Sequence, residues 1–99
     1  MSSNVTKSVR IINRKGLHAR ASAKLAKLAL ELPEVVTISF EGESADSRSI
    51  MDLLCLGAGL GSEVILTASG VNAEAAVETV EALFMDGFGE LAEDEACAK

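Results

Sequence analysis

The run Glu63-Val-Ile-Leu-Thr-Ala-Ser69 places Val64, Leu66 and Ala68 at alternate positions. A period of two sends them all to one face of a strand, so this segment needs a sheet with one buried side. Three other runs carry a weaker version of the same pattern. Val5 to Asn13 sets Val9 and Ile11 against Ser8 and Arg10, and Glu34 to Phe40 alternates Val36, Ile38 and Phe40. Glu41-Gly42-Glu43 is a turn signal, and Ser44 to Ser47 reads as a brief hairpin partner. Strands with one apolar face belong to an antiparallel sheet covered on one side.

Helical periodicity fills the spaces between them. Ala19 to Leu32 puts Ser22, Leu25, Leu28, Ala29 and Leu32 on an inward stripe and Arg20, Lys24, Lys27 and Glu31 outside, with Pro33 as its stop. Ser49 to Leu56 is a short helix in which Ser49 and Asp52 approximate a capping box. Asn72 is an N-cap for a third helix with Ala76, Val77, Val80, Leu83 and Phe84 inward and Glu74, Glu78 and Glu81 outward. Gly87 and Gly89 end it. The order is βαββαβα, an α+β chain. With 99 residues there is room for one domain, read as residues 1–90, followed by an acidic tail over 91–99. The apolar fraction is 48% but the aromatic fraction only 3%, so aliphatic side chains must build the core.

Composition also limits function. A net charge of −6 argues against nucleic acid as a partner, since phosphate contacts need clustered cations. No apolar run is long enough to span a membrane, and Met1-Ser2-Ser3-Asn4 lacks the pattern of a secretory signal. The expectation is a cytoplasmic monomer. Cys55 and Cys97 have no metal-ligand spacing and read as reduced thiols, Cys55 as a small packing residue and Cys97 as exposed. No metal or cofactor is implied. Gly57-Ala58-Gly59-Leu60-Gly61 follows a helix rather than a strand, so it reads as a connector and not a phosphate cradle. The charges are uneven: Lys7, Arg10, Arg14, Lys15, Arg20, Lys24 and Lys27 crowd the first third, a field suited to an acidic or phosphorylated partner.

Within that basic third lies Gly16-Leu17-His18-Ala19-Arg20-Ala21-Ser22, which holds the sole histidine. Gly16 permits a tight turn, and His18 falls at a helix start, where backbone N–H groups and the helix dipole favour an anion. Arg20 adds a planar donor fork, and a neutral imidazole beside an anion site is a nucleophile suited to a phosphoryl group. Positive charge around the ring disfavours its protonation.

The segment Asn13-Arg14-Lys15-Gly16-Leu17-His18-Ala19-Arg20-Ala21 resembles the phosphohistidine signature of the HPr family, small phosphocarriers of bacterial phosphotransferase systems, with the Asn-x-x-Gly-Leu-His-Ala-Arg form closest to the nitrogen-related NPr branch. Ser49-Ile50-Met51-Asp52-Leu53-Leu54 is similar to the segment carrying the family's regulatory serine and docking helix. The resemblance covers roughly residues 5 to 90. It implies an open-faced β-sandwich, a four-stranded antiparallel sheet with three helices on one face. It also implies that His18, with Arg20, accepts a phosphoryl group on the δ nitrogen from enzyme I and passes it to an enzyme IIA protein. Asn13, Gly16 and Ala19 would shape the site loop. Leu17, Ile50, Met51 and Leu54 would form an exposed apolar docking patch with Lys24 and Lys27 as its charged rim, while Leu53 fills the core. An HPr kinase/phosphorylase would act on Ser49. Many family members have proline where this chain has Ala21, so the first helical turn is expected to be looser. Two other readings stand beside the carrier: a regulatory protein-binding module of the same fold controlled by Ser49 phosphorylation, and a small ligand-binding domain in which His18 is incidental.

Overall fold

A computed structural model describes residues 4–92 of the chain. Its elements are β1 (Asn4–Arg10), α1 (Ala19–Leu30), β2 (Thr37–Phe40), β3 (Glu43–Asp46), α2 (Ile50–Leu56), β4 (Glu63–Ser69) and α3 (Ala73–Met85), followed by a 3-10 turn at Gly87–Gly89. The strands form one antiparallel sheet in the order β1-β4-β2-β3. This is the open-faced arrangement expected from one-sided alternation.

Register explains the single covered face. Val9 lies opposite Val64, Lys7 opposite Leu66 and Val5 opposite Ala68, while Ile38 is flanked by Leu66 and Ala45. Val64, Leu66, Ile38 and Ala45 are buried under the helices. Thr6, Ser8 and Arg10 point the other way and are exposed, so that face needs no cover. The core they share with Leu25, Leu53, Val77 and Val80 is largely aliphatic. Its main aromatic contact is edge-to-face, Phe84 against Phe88 with ring centres 4.9 Å apart.

Boundaries shift for local reasons. Helix α1 stops at Leu30, two residues before the expected end, and Leu32 closes a turn by donating its N–H to the Ala29 carbonyl at 3.1 Å. Pro33 would drive its ring into that carbonyl if the helix continued. Strand β2 begins at Thr37 rather than Glu34, because the Glu34 carboxylate is turned toward the start of α3, accepting from the Asn72 N–H at 3.2 Å. Asn72 itself makes no side-chain cap, contrary to expectation. The hairpin turn takes Glu41 and Gly42, with φ of 50° and 84°, and β3 starts one residue early at Glu43. Two positive-φ residues match the twist of a two-residue hairpin. Cys55 is exposed rather than packed, since Leu53 and Leu56 supply the buried side of α2. Cys97 and the acidic stretch from residue 93 lie outside the described residues. No helix among the described residues is long and apolar enough to cross a membrane.

Candidate functional site

The loop from β1 to α1 is held in place by its backbone. Ile11 donates to the Ser62 carbonyl at 2.9 Å, and Leu17 donates to the Ala58 carbonyl at 3.0 Å. Gly16 sits at φ +61°, and a Cβ there would lie 2.6 Å from the Ala58 carbonyl oxygen and 2.6 Å from the Gly59 Cα. Only glycine fits both that conformation and that approach. The glycine-rich connector after α2 is therefore the floor of the site loop.

Leu17 is thereby drawn inside. It is 6% exposed and belongs to the core, which corrects its expected place in an exposed patch. The β1–α1 loop must bury one apolar side chain to anchor the start of α1, and Leu17 is the apolar residue before the helix. Ser22, also buried, donates its hydroxyl to the Leu17 carbonyl at 3.2 Å and fixes the turn from beneath.

His18 is the N-cap of α1, with extended backbone (φ −78°, ψ −178°) and no side-chain capping bond. Its carbonyl accepts the Ser22 N–H at 2.8 Å, so the helix starts there without a proline in its first turn. Ala21, where many family members carry proline, is fully buried. The imidazole is 24% exposed, reachable from solvent yet packed on one edge.

That packed edge meets a group which the sequence reading placed only at the end of the domain. Nε2 of His18 lies 2.7 Å from Oε2 of Glu90, and the same oxygen accepts from Nε of Arg20 at 3.2 Å. The other carboxylate oxygen accepts from Nδ2 of Asn13 at 3.1 Å. Nδ2 also donates to the Gly16 carbonyl at 2.9 Å, and two acceptors on one amide nitrogen fix which way Asn13 points. Asn13 is fully buried, so it is a strut between the site loop and Glu90. Glu90 is 1% exposed. Burial would raise its pKa, but hydrogen bonds from Asn13, His18 and Arg20 outweigh this and hold it below the usual carboxylate value.

Glu90 reaches the imidazole through a tight reversal after α3. Gly87, Phe88 and Gly89 all have positive φ, at 62°, 57° and 73°. Phe88 tolerates the left-handed region because its ring is fully buried against Phe84. Lys24 of α1 donates its ammonium to the Phe88 carbonyl at 2.6 Å and ties the reversal to the helix. The available sequence signal was a Gly-Phe-Gly break followed by a carboxylate, in a chain whose lone histidine lacked an orienting partner.

The basic side chains Arg14, Lys15, Arg20, Lys24 and Lys27 are exposed around and along α1. On α2, Ile50, Met51 and Leu54 are 40%, 69% and 39% exposed, whereas Leu53 is fully buried. Ser49 caps α2, its Oγ accepting from the Asp52 N–H at 3.2 Å. The reciprocal half of the capping box is absent, because the Asp52 carboxylate turns to the Asp46 N–H, 3.4 Å away, instead.

The chain has relatives among known proteins. A family model described as "PTS HPr component phosphorylation site" matches residues 5–86. The phosphocarrier protein HPr of Cupriavidus necator is 45% identical over 80 residues, covering 81% of this chain and 90% of that protein. The phosphocarrier protein NPr of Shewanella violacea is 39% identical over 84 residues, covering 85% and 92%. The crystal structure of HPr-C-His from Thermoanaerobacter tengcongensis superposes with a TM-score of 0.82 at 29% identity, covering 87% of this chain and 97% of that one. The chain belongs to the HPr/NPr family of phosphocarrier proteins of the phosphotransferase system.

Proposed function

We propose that this chain accepts a phosphoryl group on His18 from phosphorylated enzyme I and delivers it to an enzyme IIA protein. The observation that carries this reading is the placement of His18. It is a part-exposed imidazole at the start of α1, beside Arg20, with Nε2 held by Glu90. Helix N–H groups and the guanidinium can hold the three phosphoryl oxygens, while positioning supplies most of the catalysis. The donor's N–P bond breaks as the His18 N–P bond forms, and the reverse exchange discharges the group to the acceptor. Asn13, Gly16 and Ala19 shape the loop. Ile50, Met51 and Leu54 meet partners, with Lys24 and Lys27 at the rim. In this reading the chain works as a cytoplasmic monomer, residues 1–90 forming the carrier and 91–99 an acidic extension.

Incubation with phosphoenolpyruvate and enzyme I is the test. Acid-labile, base-stable label on wild type and none on His18→Ala is the expected result, and unlabelled wild type refutes it. Presenting the labelled protein to sugar-type and nitrogen-type enzyme IIA proteins assigns the branch.

Ser49 supports a second, regulatory reading. It caps the helix that presents the apolar patch, and Asp46 and Asp52 already flank it. Phosphate added there by a kinase would deepen the negative charge beside the docking residues and weaken partner binding without unfolding α2. Unchanged kinase labelling of Ser49→Ala rules this out.

A further inference from the structure

We infer that Glu90 is a positioning residue for His18: by holding a proton on Nε2 through the whole transfer cycle, it leaves Nδ1 as the reacting atom and supplies the counter-charge that the phosphorylated ring requires. The chain's own geometry carries this. The carboxylate is 1% exposed, lies 2.7 Å from Nε2 and is fixed from its other oxygen by Asn13. An ionised carboxylate can only accept hydrogen bonds, so Nε2 must be the donor. In the neutral imidazole the lone pair is then on Nδ1.

The transfer step balances without moving that proton. The Nδ1 lone pair attacks phosphorus, the N–P bond to the donor breaks, and the donor nitrogen keeps the electron pair. The product ring carries phosphate on Nδ1 and a proton on Nε2, and so bears a positive charge. Glu90 faces that charge at hydrogen-bond distance. When the acceptor takes the phosphoryl group, the pair returns to Nδ1 and the ring is again neutral with Nε2–H. Arg20 donates to the same carboxylate oxygen and holds it toward the ring, and Lys24 clamps the Gly87–Gly89 reversal on which Glu90 is mounted.

The inference rests on the carrier reading for its second half only, because the proton position belongs to the unphosphorylated protein. Nitrogen-15 NMR of the imidazole reads it directly. Wild type should show the Nε2–H form of the neutral ring. In Glu90→Ala the preference for that form should fall about tenfold, the worth of one hydrogen bond to a charged acceptor. Glu90→Gln guards against a folding failure. Its amide has one acceptor atom and cannot serve both Asn13 and the His18–Arg20 pair, so it too should lose the preference.

The second readout is the lifetime of protein phosphorylated chemically with phosphoramidate, which needs no enzyme I. Without Glu90 the phosphorylated ring loses its Nε2 proton more readily, and the neutral ring is the poorer leaving group. Hydrolysis near pH 7.5 should therefore slow by about tenfold. If both variants keep the wild-type proton position and lifetime, the assignment of Glu90 is wrong and the carrier reading stands. If wild type accepts phosphate from phosphoramidate but not from enzyme I, the carrier reading fails while the role of Glu90 stands.

Discussion

Replacing Gly16 with alanine tests how the site loop is built. Two effects add at this position. An L-residue held near φ +61° costs about 1–2 kcal/mol relative to glycine. The new Cβ would also lie 2.6 Å from the Ala58 carbonyl oxygen and from the Gly59 Cα, both backbone atoms that cannot rotate away. Relief requires the two loops to separate, which stretches the Leu17 N–H to Ala58 carbonyl bond, worth about 1 kcal/mol. The total is about 2–3 kcal/mol. Gly57 is the internal control, since it has nearly the same φ, +66°, with nothing within 4 Å of its Cβ position. Gly57→Ala should show the conformational part alone, about 1–2 kcal/mol. With a urea slope of about 1.5 kcal/mol per molar, Gly16→Ala should lower the midpoint by about 1.5–2 M and Gly57→Ala by about 1 M. Enzyme I-dependent labelling of His18 should fall in Gly16→Ala and persist in Gly57→Ala. Equal destabilisation by the two changes would refute the close-approach argument.

Phe88→Ala removes a fully buried ring while keeping the left-handed backbone, so it should destabilise by about 3–5 kcal/mol in chemical denaturation and release Glu90 from the site. Glu90 titrates below its ordinary value in the folded protein, so the unfolded state binds more protons through the acid range. The stability advantage of wild type over Glu90→Gln should be complete above pH of about 5 and fade as pH falls through the lowered folded value; urea midpoints for the two proteins at several pH values check this. Met51→Glu changes a side chain that is 69% exposed and should leave the melting temperature unchanged, while the KM for enzyme I rises about tenfold or more because a charge must be desolvated on docking.

The parts legible in the sequence were those fixed by local periodicity. Val64, Leu66 and Ala68 declared a one-sided strand, and the structure buries all three beneath the helices. The resemblance, not periodicity, put Leu53 in the core and Met51 and Leu54 on the surface of α2, and their exposures agree. His18 could be placed at a helix start from Gly16 before it and the helix formers after it. What escaped was set by contacts between distant residues. Glu90 meets His18 across 72 positions in the chain, and no local spacing records that meeting. Leu17 was misjudged because a resemblance assigns a residue to a loop without saying which way the loop turns. Asn72 makes no side-chain cap, and its own N–H is held by Glu34, a contact across 38 positions that no local preference records.

The polarity of the first strand and the reversal after the last helix give the molecule two unlike positions for attachment. Asn4 begins β1 and Arg10 finishes it next to the loop bearing the imidazole, so Asn4 lies about 20 Å away along the strand. Glu90, by contrast, touches that imidazole, so a group attached at the neighbouring Leu91 lies next to it. A label at Asn4 leaves the approach to the ring open, and the same addition at Leu91 crowds it.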